Sequence, residues 1–261
     1  MRRATRAGSE SGRIGAVSAA IEAGPLLAAV LAVFVLIAAT VVWRGGLGSG
    51  RAVLVAAVRA VVQLAAVSLV ITAILRSGWW TAGFVLFMFA VASFTAYRRV
   101  EAPGGWPWFA AAIAAGVLPV LALVLATGVV PGKPIVVVPI AGIVIGGAMT
   151  ATAQAGRRAL DELKTRHGEY EAALALGFMP RAAALEICRP SAGHALIPGL
   201  DQTRTVGLVT LPGAYVGMLL GGASPVQAGV AQLLVLIGLL AAQSIAVLAT
   251  VEFVAFGRIS W

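Results

Sequence analysis

The residues that could do chemistry are concentrated in one stretch of the chain, Arg157 to Arg204. This stretch, the polar segment, holds seven basic and six acidic side chains. Both histidines, His167 and His194, lie in it. The single cysteine, Cys188, excludes a disulfide framework and any cysteine-rich metal site. The segment is therefore a stretch of charged side chains and histidines without a disulfide framework.

The first part of the polar segment has the pattern of a helix. Asp161 and Lys164 stand three residues apart, and Glu162 and Arg166 stand four apart, so both pairs share a helical face. Gly168 is expected to interrupt this helix.

Two more short helices are predicted after this first one. Residues 169–176 form the second, and Gly177 can end it in a left-handed conformation. Pro180 suits the first turn of a third helix at 181–189, which Pro190 is expected to close. Spacing alone leaves two interpretations open: a solvated loop with local helices, or a docking element for another protein.

The rest of the chain must position this segment within a membrane. Hydrophobic residues make up 60% of the 261 residues and charged residues only 11%, with a mean hydropathy of +0.98. A soluble domain carries about 25% charged residues. A chain this apolar is solvated mostly by lipid, so the lipid bilayer is its first predicted partner. The net charge of +9 then favours basic cytoplasmic loops over nucleic-acid binding.

The uncharged runs predict an all-α polytopic membrane protein with about seven transmembrane helices, since a span needs about 20 apolar residues. Residues 1–24 are expected to form a disordered basic tail and residues 25–261 the membrane domain, with residues 157–204 as its cytoplasmic helical loop. A Gly-Gly-Ala-Ser-Pro turn signal should divide the last run into two helices. The predicted runs are 25–43, 52–75 (interrupted by Arg59), 77–97, 102–132, 134–156 and 205–251.

Basic residues mark alternate ends of these helices, which predicts their cytoplasmic side. The cytoplasmic ends would carry Arg44 and Arg51, Arg98 and Arg99, the start of the polar segment, and Arg258. This predicts a multi-pass inner-membrane protein with a cytoplasmic C-terminus. Seven helices place the N-terminus outside, against the preference of four tail arginines. Either the tail is translocated or translation starts downstream, and a cleaved signal peptide fits less well.

Arg59 is the clearest charged residue inside a predicted span. Such a charge costs about 2.5–3.5 kcal/mol on insertion scales and therefore usually has a partner or water. Three interpretations stay open: an interfacial elbow at 51–58 that lets Arg59 reach the headgroups, an ion pair with Asp201, or substrate contact. Gln63 lies one turn on, on the same face.

Two other intramembrane features are candidates for a translocation pathway. The fifth span has a face of Pro139 and small residues including Gly142, which suits helix packing or a pathway. Pro212 and Gly213 interrupt the sixth span, as a kink or as a hinge beside a cavity. For a metal the spans offer mainly Met149 and other methionines, with Glu252 near the end of the last span, so a metal site stays unknown.

The polar segment resembles the EAA loop of ABC-transporter permeases. Glu171-Ala172-Ala173 is followed after three residues by Gly177, and after nine more by Ile187, with Pro190 three positions on. Arg189 departs from the motif, which prefers Leu before the proline. In that family the loop inserts its short helix into a groove of an ATPase subunit. The resemblance implies that such a subunit contacts Glu169, Glu171, Ala172, Ala173, Gly177 and Pro180.

Further motifs narrow this resemblance to the bacterial iron-export permease family, which includes plant aluminium-tolerance permeases. The motifs lie at 58–64, 139–142, 147–149, 197–201 and 205–213, and the Thr-Val-Gly-Leu-Val-Thr-Leu-Pro-Gly run at 205–213 is the most specific. The resemblance covers about Arg51 to Gly257. It implies a permease that pairs with a separate ATP-binding subunit, two copies of each, and exports iron or another metal ion. The chain departs from the pattern of the bacterial iron exporter at two places. Gly147 stands where that exporter has Asn, and Ala214-Tyr215 stands where it has paired Met.

The sequence contains no Gly-x-x-x-x-Gly-Lys-[Ser/Thr] phosphate loop. We therefore expect no cofactor and no ATPase site in this chain, with ATP and Mg²⁺ held by the partner. Weaker pathway candidates are Arg59, Gln63, Gly142, Met149, Asp201, Pro212 and Gly213. The alternatives are a stand-alone secondary transporter or channel and, less well supported, a membrane-embedded enzyme, for which the spans offer no catalytic constellation.

Overall fold

The computed structural model describes residues 24–74 and 77–260, so the predicted disordered tail lies outside the described residues except for Gly24. The described chain is helical and contains no β-strand in these ranges. Its α-helices are α1 (Pro25–Arg44), α2 (Gly50–Ile74), α3 (Gly78–Val100), α4 (Trp106–Ala126), α5 (Pro134–Thr165), α6 (His167–Ala175), α7 (Pro180–Gly193), α8 (Ile197–Thr205), α9 (Gly213–Leu220) and α10 (Pro225–Ala255), with a 3₁₀ turn at His194–Leu196 between α7 and α8. The all-α, polytopic fold class is confirmed.

The chain divides into two compact units, with the boundary between Thr72 and Ala73. The first unit contains the apolar helix α1 and most of α2, joined by a short turn. Gly50 opens α2 beside α1, where a Cβ would lie 2.8 Å from the Ala39 carbonyl oxygen. Close packing at this end therefore requires glycine.

The second unit is built around α5 and α10, with α3 and α4 packed beside them. Its core is rich in alanine around large buried side chains such as Phe109, Ile113 and Leu236. Gly116 of α4 lies so close to α10 that a Cβ would collide with the Ala242 carbonyl oxygen. Small residues at such contacts let membrane helices approach closely.

Helices α5 and α10 run parallel. Position 147 of α5 faces Leu239 of α10, and position 156 faces Thr250, so contacts advance along both helices together. The chain between them must return over the same distance before α10 begins. It does so through α8, the non-helical residues 206–212, and α9.

This returning stretch differs from the prediction for residues 205–251. The turn signal was placed correctly, because Ser224 and Gln227 form a capping box that starts α10. The interruption before it is longer than the predicted kink at Pro212 and Gly213, and it leaves α9 only eight residues long. Six helices in the described ranges are long and apolar enough to cross a membrane. The count of seven, which includes the divided α8–α9 stretch, stays a prediction.

The basic residues of the second unit gather at one end of the bundle. This end holds the C-termini of α3, α5 and α10, since Val100 and Thr250 both lie near Gly156. Arg98, Arg99, Arg157, Arg158 and Arg258 are therefore at the same end as the polar segment. The opposite end, between α4 and α5, carries Lys133. We call the end that holds the C-termini of α3, α5 and α10 the basic end.

Candidate functional site

Helix α7 is the element that fixes the polar segment to the bundle. Its buried face packs against α5 and α10 at the basic end. The buried residues are Ala183, Ala184, Leu185, Ile187, Cys188 and Ala192. The helix starts at Pro180 as predicted, but the prediction that Pro190 closes it is wrong. Proline lacks an amide hydrogen, yet α7 continues through Pro190 to Gly193, so this packed face outweighs one lost backbone bond.

Glu252, near the end of α10, forms ion pairs with two arginines of α7. The Nε and Nη2 atoms of Arg181 lie 2.9 and 2.7 Å from Glu252 Oε2. Arg189 Nη2 lies 3.7 Å from Oε1, and the Arg181 guanidinium also stacks 5.1 Å over the Phe256 ring. We call these four residues the Glu252 cluster. The cluster joins α7 to α10 at a half-buried carboxylate.

The sequence did not identify this cluster. Glu252 was considered only as a weak metal candidate, whereas the structure places it in an ion pair with Arg181, 71 positions away. One signal was present in the sequence. Glu252 is the first charge after a long uncharged run, and such a charge needs a partner.

Helix α6 contrasts with α7 because it has no buried residue. Arg166, just before α6, contacts two glutamates: Nε lies 2.8 Å from Glu169 Oε1, and Nη1 lies 3.9 Å from Glu162 Oε2. The hydrogen bond from Arg166 holds the pKa of Glu169 below its ordinary value, and the same bond raises the pKa of Arg166. His167 Nδ1 lies 3.6 Å from Glu171 Oε1. The predicted Glu162–Arg166 pair is confirmed, whereas the helix break falls at Arg166 and not at Gly168.

Gly177 ends α6 as predicted. Its φ is +90°, in the left-handed region that favours glycine. The amide of Gly177 donates to the Leu174 carbonyl at 2.9 Å, and the amide of Phe178 donates to the Ala173 carbonyl at 3.1 Å. This hydrogen-bond pair defines a Schellman motif. The motif fixes the turn between α6 and α7.

The turn presents an exposed apolar surface at the basic end. Leu176 is 81% exposed, Met179 is 77% exposed and Phe178 is half exposed. We call these three residues the turn patch. The uncharged part of α5 ends at Gly156, and α6 follows the charged turns beyond it, so the patch lies past the apolar span. Exposed apolar side chains that lie outside lipid are candidates for contact with another molecule.

The other predicted coupling residues lie around this turn. Glu169, Glu171 and Ala172 are exposed on α6, and Ala173 is partly buried. Pro180 borders a cavity of about 320 Å³ between α5, α6, α7 and α10. Their contact with an ATPase stays a prediction.

The predicted pathway residues of the second unit lie on different elements. A Cβ at Gly142 would lie 2.8 Å from Met88 Cε of α3, which is the geometry of helix packing. Met149 packs partly buried against the core. Asp201, on α8, lies 3.6 Å from Arg204 Nη1.

Two more pathway candidates occur at the break before α9. Pro212 precedes this helix and Gly213 is its first residue. In the first unit, Arg59 and Gln63 are exposed on α2, which continues without a break through Arg59. The roles of all these residues in transport stay predictions.

A metal centre and a reactive thiol have little support at the basic end. Within residues 24–74 and 77–260 there is no group of three or more His, Cys, Asp or Glu side chains placed to hold a metal ion. Cys188 is fully buried in α7, and this burial raises the pKa of its thiol to about 11. The thiol therefore stays protonated and shielded at neutral pH.

Comparison with known proteins assigns the chain to a family. The sequence profile of an uncharacterised protein family, UPF0014, matches residues 26–257. The chain belongs to the UPF0014 family. No solved structure matches it.

Relatives of this UPF0014 chain include plant and bacterial proteins. STAR2, a UPF0014 membrane protein of Oryza sativa subsp. japonica, is 37% identical over 202 residues, which cover 76% of this chain and 71% of STAR2. ALUMINUM SENSITIVE 3 of Arabidopsis thaliana is 37% identical over 182 residues, covering 68% and 66%. The probable iron export permease protein FetB of Escherichia coli is 36% identical over 138 residues, covering 51% and 52%. The predicted family resemblance is therefore confirmed, and this chain is a multi-pass membrane protein of a family that includes a permease.

Proposed function

We propose that this UPF0014 chain is the membrane-spanning subunit of an ABC transporter, driven by a separate ATP-binding subunit. The observation that carries the proposal is the arrangement at the basic end. An exposed helix, a glycine-fixed turn and an apolar patch stand beside a helix that is ion-paired to α10. Such an arrangement suits a docking element whose movement must reach the membrane helices.

The proposed mechanism begins at the turn patch. The ATP-binding subunit covers Leu176, Phe178 and Met179, together with the exposed face of α6. When that subunit changes shape on binding and hydrolysing ATP, it displaces the turn. Helix α7 passes the displacement to α5 through its buried face and to α10 through the Glu252 cluster. Parallel movement of α5 and α10 then alternates access to the two sides of the membrane.

The proposal extends to assembly and topology. The chain works as a homodimer with two ATP-binding subunits, in the inner membrane, with the C-terminus in the cytoplasm. The gathering of basic residues at the end that carries α6, α7 and Arg258 supports this orientation, because basic residues are retained on the cytoplasmic side. ATP and Mg²⁺ are bound by the partner, and this chain acts as a transport subunit without an ATPase site.

The proposed substrate is iron or another metal ion, moved outward. The support is the similarity to FetB, which is named a probable iron export permease. The alternative is a secondary transporter or channel for a small solute, which would need a relay of ionisable groups through the spans. In residues 24–74 and 77–260, the spans carry few such groups beyond Arg59, and Glu252 is already paired.

Affinity purification in mild detergent tests the ABC assignment. The tagged chain should capture a protein with a phosphate-loop ATPase sequence, and Gly177→Asp should reduce this capture, because aspartate is strained at φ +90°. Gly168→Asp is the matched control, since nothing lies within 4 Å of it, its φ is ordinary and it is in the first turn of α6. Absence of any ATPase with the unaltered chain, or equal capture by both variants, would contradict the proposal.

A further inference from the structure

A long apolar groove lies in the half of the second unit that is opposite the basic end. Helices α3, α4 and α5 form its walls, and its volume is about 860 Å³. The floor contains buried residues, among them Val117, Ala141 and Ile145. The rim contains Leu86 and Leu118, which are 67% and 64% exposed. The groove therefore opens toward the outside of the helix bundle.

The walls of this groove suit hydrocarbon and not a polar solute. Thr81 is the polar side chain among the described lining residues, and its hydroxyl donates to the Ser77 carbonyl at 3.0 Å. A polar ligand would lose its hydrogen bonds to water on entering and would regain few of them. An apolar chain has none to lose and gains close packing contacts.

The length of the groove matches one leaflet of a bilayer. Gly78 and Phe89 of α3 both line it, and their separation of eleven residues spans about 16 Å at about 1.5 Å per residue. The hydrocarbon core of a bilayer is about 30 Å thick, so one leaflet accounts for about 15 Å. A helix about 10 Å across would occupy about 1,300 Å³ over the same length, which exceeds the volume of the groove. A lipid acyl chain is thinner than a helix and fits.

A basic residue lies where the groove reaches the end of the bundle. Lys133 is exposed and stands between two lining residues, Gly132 and Pro134. It forms no ion pair with any residue in the described ranges 24–74 and 77–260. A position for hydrocarbon one leaflet deep therefore ends beside an ammonium group without a counter-ion. Basic residues at the membrane surface attract the negative headgroups of lipids.

We propose that this groove binds a phospholipid of the leaflet opposite the basic end. One acyl chain lies along α3, α4 and α5, and the phosphate lies beside Lys133. The inference goes beyond the proposed function and holds whichever solute is transported. The bound chain completes the packing between α5 and its two neighbours in this half of the bundle.

Two neighbouring alanines of α4 provide matched variants. Ala114 lines the groove and is half-buried, whereas Ala115 is exposed and does not line it. Ala114→Phe therefore fills the space of the acyl chain, and Ala115→Phe adds the same side chain outside the groove. Ala82→Phe, at an exposed lining position of α3, blocks the groove without altering a buried position. It keeps the test valid if Ala114→Phe does not fold.

The first measurement is native mass spectrometry of the full chain, purified in detergent, stripped of lipid and titrated with palmitoyl-oleoyl phosphatidylglycerol. Ala114→Phe and Ala82→Phe should weaken binding of this lipid about 10-fold, because a side chain forced into occupied space costs packing energy. Ala115→Phe should leave binding unchanged. Lys133→Gln should weaken it about 5-fold. The same variant should not affect palmitoyl-oleoyl glycerol, which has the same acyl chains and no phosphate.

The second measurement locates the lipid in intact membranes. Phosphatidylglycerol with a photoactivatable group at the end of one acyl chain should label the peptides that contain Phe89 and Ile145, and Ala114→Phe should reduce this labelling. Equal lipid binding by Ala114→Phe and Ala115→Phe, or no effect of Lys133→Gln, would overturn the inference. If Ala114→Phe breaks a dimer and leaves lipid binding unchanged, the inference also fails, and the groove belongs to a second copy of this chain.

Discussion

Replacing Glu252 with glutamine should loosen α7 from the end of α10. Glutamine keeps the size of the side chain but removes its negative charge. In the unaltered chain, Arg181 Nη2 and Nε lie 2.7 and 2.9 Å from Glu252 Oε2. A hydrogen bond to a charged partner contributes about 1.5–3 kcal/mol. Arg181 is 46% exposed and can regain water, so the lower value, about 1.5 kcal/mol, applies. This loss increases local opening of α7 roughly 10-fold.

Cys188 reports this opening chemically, since it is the chain's single cysteine and is fully buried in α7. Burial raises the pKa of the thiol to about 11, so alkylation at pH 8 requires α7 to open. The rate of iodoacetamide labelling in detergent, followed by mass spectrometry, should rise about 10-fold in Glu252→Gln. Arg189→Gln is the control: its 3.7 Å contact is exposed, so labelling should change less than about 2-fold. An unchanged rate in Glu252→Gln, or an equal rise in both variants, would refute the role of the Glu252 cluster.

Three further predictions concern the turn, the helix packing and the pH response. Gly177→Ala should lower the free energy of unfolding by about 1–2 kcal/mol in a denaturant titration, because φ is +90° there; no loss would contradict the left-handed turn. Gly116→Val should lower it by about 1–3 kcal/mol through collision with α10, whereas Gly146→Ala, with nothing within 4 Å, should cause no loss. The carboxyl of Glu169 should titrate below its ordinary pKa, measured by carbon NMR. Because its folded pKa is lowered, the contribution of the pair to stability is present above the ordinary glutamate pKa and is lost as pH falls through the lowered value. Arg166→Gln should raise the midpoint, and an unshifted midpoint would argue against the pair in solution.

The parts of the fold that sequence could predict are those determined by local chemistry. Uncharged runs gave the long helices, because lipid permits little else. The turn at Gly177 followed from a glycine after a helix-forming run, and the start of α10 followed from the Gly-Gly-Ala-Ser-Pro signal. The Glu162–Arg166 pair followed from helical spacing.

The parts that sequence could not predict depend on contacts between distant residues. The ion pair between Arg181 and Glu252 requires α5 and α10 to run parallel, which no local pattern encodes. The continuation of α7 through Pro190 depends on its buried face against α5 and α10. The break before α9 covers residues 206–212 and exceeds the kink that was predicted at Pro212 and Gly213.

The most direct test of the proposed coupling is crosslinking from the turn patch. Met179→Cys in a Cys188→Ala chain places a single thiol at a 77% exposed position, and Val129→Cys places one at an exposed position at the opposite end of the bundle. Membranes of the native host that carry the variant chain are treated with a short thiol–amine crosslinker, and the products are identified by mass spectrometry. The account predicts that position 179 crosslinks to the ATP-binding subunit and that position 129 does not. Absence of that product at 179, or equal crosslinking at 129, would contradict it.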